Sequence, residues 1–375
     1  MRCSRGLNPF IYCVLFICVV LYIRQYSKPE YGSEVARSLE PYPENLTEVQ
    51  EKKQVLIFAA TKFFGHPITT ERFLALCPEK KKYCQISETN SKDTNAVVFH
   101  NADYRSDGLK DLFNHRNPKV PFVLWSLESP SNDAFRPEKN VINWTMTYRR
   151  DADVWAPYGH MEQLKKPIDI DLNEMWNSKK KAITMLVSNC YARNRRSDIV
   201  RQLEKGLKID IWGNCGKQPP NCGGVDKQEN DCVVELIRPY KFYISIENSN
   251  CKDYVTEKFW KALNDRMVVP IVLARKYYRE LGVPDSAYIS IDDFSSISEF
   301  VAHLKLVIDD KEKYLKYHEW RKTWRVIIGN GFSGFCRLCD KLQIPNPPTK
   351  TYENVAAWHQ VGGNCENSIA DKFLK

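Results

Sequence analysis

Short apolar runs recur along the chain, and each is closed by a polar turn. Residues 120–126, 182–188, 209–212, 242–246 and 268–273 are rich in β-branched, aromatic and aliphatic positions. They are too short for helices, and their length and composition are those of buried strands. Between them the period changes: residues 199–207 form an amphipathic run, and a second helix opens near residue 257. The order strand, polar loop, helix, strand therefore appears twice, which predicts parallel sheets of the α/β class.

The N-terminus has a different pattern. Residues 7–23 are almost uninterruptedly apolar, with Arg2 and Arg5 before them and Arg24 and Lys28 after them. That is about long enough to cross a thin bilayer. The run ends in Leu21, Tyr22 and Ile23, without the small-residue site that a signal peptidase needs, and so reads as an uncleaved anchor. The flanks carry equal basic charge, and the free amino terminus tips the balance towards a cytoplasmic N-terminus. Sequons at Asn45 and Asn143 are usable for glycosylation only if the chain beyond the anchor is lumenal. Residues 24–51, with Pro29, Pro41 and Pro43, follow neither period and read as a stem. The expected plan is a tail over residues 1–6, an anchor over 7–23, a stem over 24–51 and a lumenal globule.

Of thirteen cysteines, Cys3, Cys13 and Cys18 precede the stem, and the even number that remains suits an oxidising lumen. By spacing alone, Cys77, Cys84, Cys336 and Cys339 also fit a four-thiolate zinc site, although secretory enzymes usually oxidise such pairs. The net charge of +9 is spread along the chain, with basic groups at residues 179–181 and 193–196. A nucleic-acid partner does not fit a lumenal address, and an anionic ligand needs only a few of these residues. With 375 residues, 43% of them hydrophobic, the chain can bury a large core and divide into two domains.

Candidate chemistry gathers at the turns. The run 242–246 leads into Glu247 and Asn248, and the next helix opens at Glu257 and Lys258. A helix start beside the end of a parallel strand collects unpaired N–H groups, and with the charge of Lys258 it suits the diphosphate of a nucleotide. Asn248 and Glu257 can hold sugar hydroxyls, and Tyr254 offers a ring for stacking. The run 182–188 leads to the basic cluster Arg193, Arg195 and Arg196 ahead of an amphipathic helix, and a guanidinium fork in such a turn can bind two phosphate oxygens at once. The run 120–126 delivers Glu128, and Pro130 holds Ser129 extended, so Glu128 lies at a strand end, where α/β sheets place ligands. Asp151 and Asp153 could share a divalent cation.

The segment Phe-Tyr-Ile-Ser-Ile-Glu-Asn-Ser, followed by Asp-Tyr-Val-Thr-Glu-Lys-Phe-Trp and then Val-Pro-Ile-Val, resembles the signature of the α1,3-fucosyltransferases. That family transfers fucose from GDP-fucose to N-acetylglucosamine in glycans. Val-Ser-Asn-Cys ahead of Arg196, Glu-Ser-Pro at residues 128–130 and the segment 143–159 are also similar to the family. The resemblance implies two Rossmann-like α/β domains facing a cleft, the GT-B plan: residues 52–175 for the acceptor, 176–345 for GDP-fucose, and a C-terminal extension over 346–375. It implies Glu128 as catalytic base and Arg196, Glu247, Asn248, Tyr254, Glu257 and Lys258 as donor-binding residues, with Arg193 and Arg195 left as surface charges. It implies bridges between the pair Cys77 and Cys84 and the pair Cys336 and Cys339. The partners of Cys190, Cys215, Cys222, Cys232, Cys251 and Cys365 stay open. The family is metal-independent, so neither Asp151 nor Asp153 is expected as a ligand and no cofactor is required; a divalent cation would at most stimulate turnover through product GDP. Phe99-His100-Asn101-Ala102-Asp103 fits the family only in part and lacks the paired histidines of vertebrate Lewis-type enzymes, so invertebrate-like members acting on N-glycans fit better.

The resulting expectation is an inverting α1,3-fucosyltransferase, a type II protein of the Golgi or endoplasmic reticulum membrane. Its partners would be GDP-fucose and an N-glycan or glycoprotein acceptor, with no nucleic acid. Two alternatives stand beside it: a protein O-fucosyltransferase with the same donor site, and a catalytically silent lumenal glycan-binding protein. The joint presence of Glu128, Arg196 and Lys258 argues against silence.

Overall fold

The apolar runs are strands of two parallel sheets. The computed structural model describes residues 52–375 apart from 221, 223–229, 330 and 348–349. Its first sheet contains β1 (Val55–Ala59), β2 (Cys84–Ser87), β3 (Thr94–His100), β4 (Phe122–Ser126), β5 (Trp144–Thr147) and β6 (Val154–Trp155). They lie in the order β2-β1-β3-β4-β5-β6. After β7 (Gly159–Gln163), the second sheet contains β8 (Lys181–Leu186), β9 (Ile209–Trp212), β10 (Tyr240–Ile244), β11 (Val269–Val272) and β12 (Ile289–Ser290). Their order is β12-β11-β10-β8-β9. Every neighbouring pair in both sheets is parallel. β4 and β11 are buried at every position, which is why the sequence shows apolar runs there instead of alternation.

Counted from its own first strand, each sheet runs 2-1-3-4-5, the flavodoxin-like doubly wound order, with one strand added to the first. In this order the chain reverses direction between the first and third strands, and a crevice opens at their carboxyl ends. In the second sheet that crevice lies beyond β8 and β10. The segments that follow these two strands are the polar turns singled out in the sequence.

Each sheet has its own core. In the second, Ile183, Phe242, Ile244, Val269 and Ile271 pack with Ile199, Val200 and Leu203 of α1 (Arg196–Glu204) and with Phe259, Trp260 and Leu263 of α2 (Glu257–Leu263). Trp260 fits there because Gly159, the first residue of β7, has no side chain: a Cβ at that position would lie 2.5 Å from the indole. β7 pairs antiparallel with β13 (Trp324–Ile328), a ribbon outside both sheets. The chain then returns to the first sheet. Phe335, Leu338 and Leu342 of α3 (Ser333–Gln343) pack against Trp125, Trp144 and Met146. Residues 332–342, expected to close the donor domain, thus join the first core.

All ten cysteines between residues 77 and 365 are paired. Cys77–Cys336 and Cys84–Cys339 pin α3 to the first sheet as implied, so these sulfurs are taken up in bridges and not in a zinc site. The remaining bridges are Cys190–Cys215, Cys222–Cys232 and Cys251–Cys365. The expected anchor, the stem and the Asn45 sequon lie outside the described residues. Among the described residues no helix is long and apolar enough to cross a membrane.

The Asn143 sequon is corrected by the structure. Asn143 is buried at the start of β5, and its Oδ1 accepts from the Phe122 amide at 2.9 Å and from the Arg116 guanidinium. Its Nδ2 donates to the Lys350 carbonyl at 2.8 Å. Both ends of the carboxamide are held inside the fold, so a glycan cannot be carried there.

Candidate active site

Beyond β4 the chain turns over the edge of the first sheet. The Glu128 amide donates to Ser126 Oγ at 3.3 Å, and the Tyr158 hydroxyl donates to the Leu127 carbonyl at 2.7 Å. These bonds aim the Glu128 carboxylate at the turn beyond β10. There the Tyr254 hydroxyl donates to Glu128 Oε2 at 3.1 Å, with Asn248 nearby in the same turn. Ser129 Oγ and Ser249 Oγ meet at 2.5 Å beside this contact. Burial pushes the Glu128 carboxyl above its ordinary value; Lys258 and the Tyr254 bond pull against that, and Glu257 adds to it. A carboxyl raised in this way is a stronger base than an exposed one.

The expected stacking role of Tyr254 has no open ring to serve it. Tyr254 is 3% exposed, with its ring set edge-on to Tyr148 at 5.0 Å and to Tyr158 at 6.4 Å. Its working part is the hydroxyl.

Thr256 caps α2 and organises the charged residues around it. Its amide and hydroxyl donate to the two oxygens of Glu247, each at 2.7 Å. Lys258 Nζ donates to Thr256 Oγ1 at 3.0 Å and to Glu257 Oε1 at 2.9 Å, and lies 3.5 Å from Glu247 Oε2. Burial works to lower the Lys258 ammonium, but Glu257 and Glu247 outweigh it and hold the group above its usual value. Burial likewise works to raise Glu257, and Lys258 outweighs it, so that carboxyl stands below its ordinary value. Glu247 is raised by burial, against Lys258. Glu247 is thus an internal brace of the turn and Lys258 a charged group beside it.

Arg196 opens α1 beyond β8 but does not project as a free fork. It is buried, and its two terminal nitrogens donate to the Ile246 carbonyl at 3.1 Å and the Asn189 carbonyl at 2.9 Å, tying the β8 turn to the end of β10. Its Nε is buried with no hydrogen-bond partner among the described residues. Arg193 is exposed, and the exposed Arg195 pairs with Asp198 and Asp371. Asp151 is held by Arg149; Asp153 accepts from Thr145, Tyr352 and Lys350. Their oxygens serve the frame of the first sheet.

Sequence reading missed four contributors. Asn194 donates to the Glu247 carbonyl at 2.8 Å, Thr256 braces Glu247, and Tyr148 and Tyr158 wall in Tyr254. The capping position of Thr256, just ahead of an acidic first turn, was a readable signal. The two tyrosines gave none, because their proximity is created by the meeting of the two sheets.

Residues 50–159 match the family model "Fucosyltransferase, N-terminal", and residues 176–358 match "Glycosyltransferase family 10 (fucosyltransferase) C-term". The Caenorhabditis elegans alpha-(1,3)-fucosyltransferase fut-6 is 60% identical over 332 residues, 86% of this chain and 84% of its own. Fut-5 of the same organism is 40% identical over 341 residues, 89% of each chain. The glycoprotein 3-alpha-L-fucosyltransferase A of Drosophila melanogaster is 31% identical over 348 residues, 89% of this chain and 66% of its own. Among solved structures, an alpha1,3-fucosyltransferase crystal structure shares the fold, with a TM-score of 0.52 at 14% identity over 83% of this chain and 97% of its own. The chain belongs to the fucosyltransferases of glycosyltransferase family 10.

Proposed function

We propose that this chain is an inverting α1,3-fucosyltransferase that moves fucose from GDP-fucose to the 3-hydroxyl of N-acetylglucosamine in N-glycans, with Glu128 as the general base. The similarity to relatives named as α1,3-fucosyltransferases supports fucosyl transfer and the linkage, and a solved α1,3-fucosyltransferase of the same fold holds GDP-fucose. The observation that carries the mechanism is the contact of the Tyr254 hydroxyl with Glu128, which brings the carboxylate from the first sheet against the turn beyond β10.

Glu128 takes the proton from the acceptor hydroxyl while that oxygen bonds to the anomeric carbon of fucose. The bond from that carbon to GDP breaks on the opposite face, so configuration inverts. Negative charge grows on the departing diphosphate. Lys258 turns one N–H from its longest partner, Glu247, to a phosphate oxygen, and Arg196 offers its Nε–H. Cations fixed where charge develops favour the transition state over the ground state. Glu257 and Asn248 hold sugar hydroxyls. The five disulfides support a lumenal, oxidising address, in keeping with a Golgi or endoplasmic reticulum protein anchored through residues 7–23.

The test is to incubate the full chain and its Glu128→Gln variant with GDP-fucose and a panel of N-glycan, LacNAc and protein acceptors. The parent should fucosylate N-glycan N-acetylglucosamine at its 3-hydroxyl. The variant should keep GDP affinity and lose about 10²- to 10⁴-fold in kcat. Transfer only to protein side chains would replace the acceptor, and a fully active variant would remove Glu128 from the mechanism.

A further inference from the structure

The last part of the chain touches both sides of the active site. It leaves the first sheet with the Tyr352 amide bonded to the Ile142 carbonyl at 2.8 Å, then forms α4 (Val355–Gly363). The Arg149 guanidinium holds α4 by its Trp358 carbonyl at 2.9 Å. On the side of Glu128, Gln360 Nε2 donates to the Pro130 carbonyl at 3.0 Å, and Asn367 Nδ2 donates to Ser131 Oγ at 2.9 Å. On the donor side, the Lys252 amide donates to the Gly363 carbonyl at 2.8 Å and the Glu366 amide to the Asn250 carbonyl at 2.7 Å. Cys365 is bridged to Cys251 in the same turn.

We infer that residues 359–367 are a positioning strap, in which Gly363, seated between Pro130 and the Lys252 amide, sets the gap across which Tyr254 reaches Glu128. Gly363 is buried, and a Cβ there would lie 2.4 Å from Pro130 Cγ and 3.2 Å from its Cδ. The proline ring cannot rotate away, so any side chain at 363 pushes Pro130, and with it Glu128 two residues earlier. The two loops the strap joins come from distant parts of the sequence. Their spacing must hold to a fraction of an ångström, because a displacement of about 1 Å at a reacting group costs on the order of 10²-fold in rate. The Cys251–Cys365 bridge fixes the strap to the donor side; the Ser129–Ser249 contact lies between the two loops.

The inference rests on the reading of Glu128 as base, and the experiment separates the two. In the full chain, Gly363→Ala should lower kcat for transfer by roughly 10-fold or more while leaving GDP affinity within about 2-fold. It should also shift the acid limb of the kcat profile, which a merely structural role would not do. The groups facing Glu128 are the hydroxyl of Tyr254, Asn248, Tyr148, Tyr158, Lys258 and Glu257, and a lengthened Tyr254 contact moves the limb to higher pH. Leu306→Ala, at a position 60% exposed and outside the strap, should change none of these readouts. If Gly363→Ala does not fold, the paired variant Cys251→Ser with Cys365→Ser replaces it, and the same fall in kcat and shift of the limb are expected. A folded variant of either kind with parental kcat and an unmoved limb overturns the strap while leaving Glu128 in place. Parental kcat in Glu128→Gln overturns the base and the strap together.

Discussion

The hydroxyl of Tyr254 donates to a carboxylate whose burial favours the protonated form. A hydrogen bond to the charged form lowers a carboxyl pKa, so removing it raises the pKa. Tyr254→Phe should therefore move the acid limb of kcat to higher pH: activity is lost as pH falls through the Glu128 pKa, and that loss begins earlier in the variant. A limb in the parental position would show that the bond does not govern Glu128 during turnover. Lys258 offers a second residue-level test. Glu257 and Glu247 keep it charged against the effect of burial, so it presents a full positive charge throughout the working pH range. Lys258→Ala should weaken GDP binding by roughly 2 kcal/mol, about 30-fold, the scale of a desolvated charge-assisted contact. Calorimetry with GDP decides; unaltered affinity would take Lys258 out of the donor site.

At the scale of elements, Asn143 shows how a local motif and its structural setting can disagree. Its amide and side chain complete the pairing of β5 with β4 and hold the segment at Lys350. Asn143→Gln should leave the glycan mass of the expressed protein unchanged and cost roughly 2 kcal/mol or more, because buried partners are left unpaired. Glycosidase digestion and thermal melting measure the two effects; loss of a glycan in this variant would reverse the assignment. The sequon was legible as three residues, but the burial that disqualifies it depends on residues 116, 122 and 350, which no local reading joins. The central strands were legible for the opposite reason. β4, β10 and β11 are buried on both faces, so their apolar runs are self-contained signals, and the observed bounds fall within two residues of those expected. β7 and β13 were not legible: they pair with each other outside the sheets, about 160 residues apart in sequence, and half-buried ribbons carry no apolar run. The site divides in the same way. The motifs were enough to propose Glu128, Asn248, Glu257 and Lys258 as candidates, whereas the inward turn of Arg196 and the tyrosine wall depend on how the two sheets meet.

At the scale of the molecule, Cys77–Cys336 and Cys84–Cys339 tie the beginning of the described chain to α3, at sequence separations of 259 and 255. Each alone would close almost the same long loop, so their effects on the unfolded chain cannot add as independent terms. With Cys77–Cys336 intact, Cys84–Cys339 closes only a small ring, because the long loop is already closed. Replacing Cys84 and Cys339 with alanine should then cost about 3 kcal/mol, the loop-entropy value for a short ring. Replacing Cys77 and Cys336 as well should cost about 5 kcal/mol more, the value for a loop of some hundreds of residues. The first sheet should suffer most, since α3 supplies Phe335, Leu338 and Leu342 to its core and is held there across a chain excursion through the whole second sheet. GDP binding, proposed to depend on the second sheet, should survive the first replacement. Denaturant unfolding of the two variants beside the parent provides the measurement. If the first replacement proved as costly as both together, the bridges would be acting through local packing, and the closure of the long loop would not be what holds α3 to the first sheet.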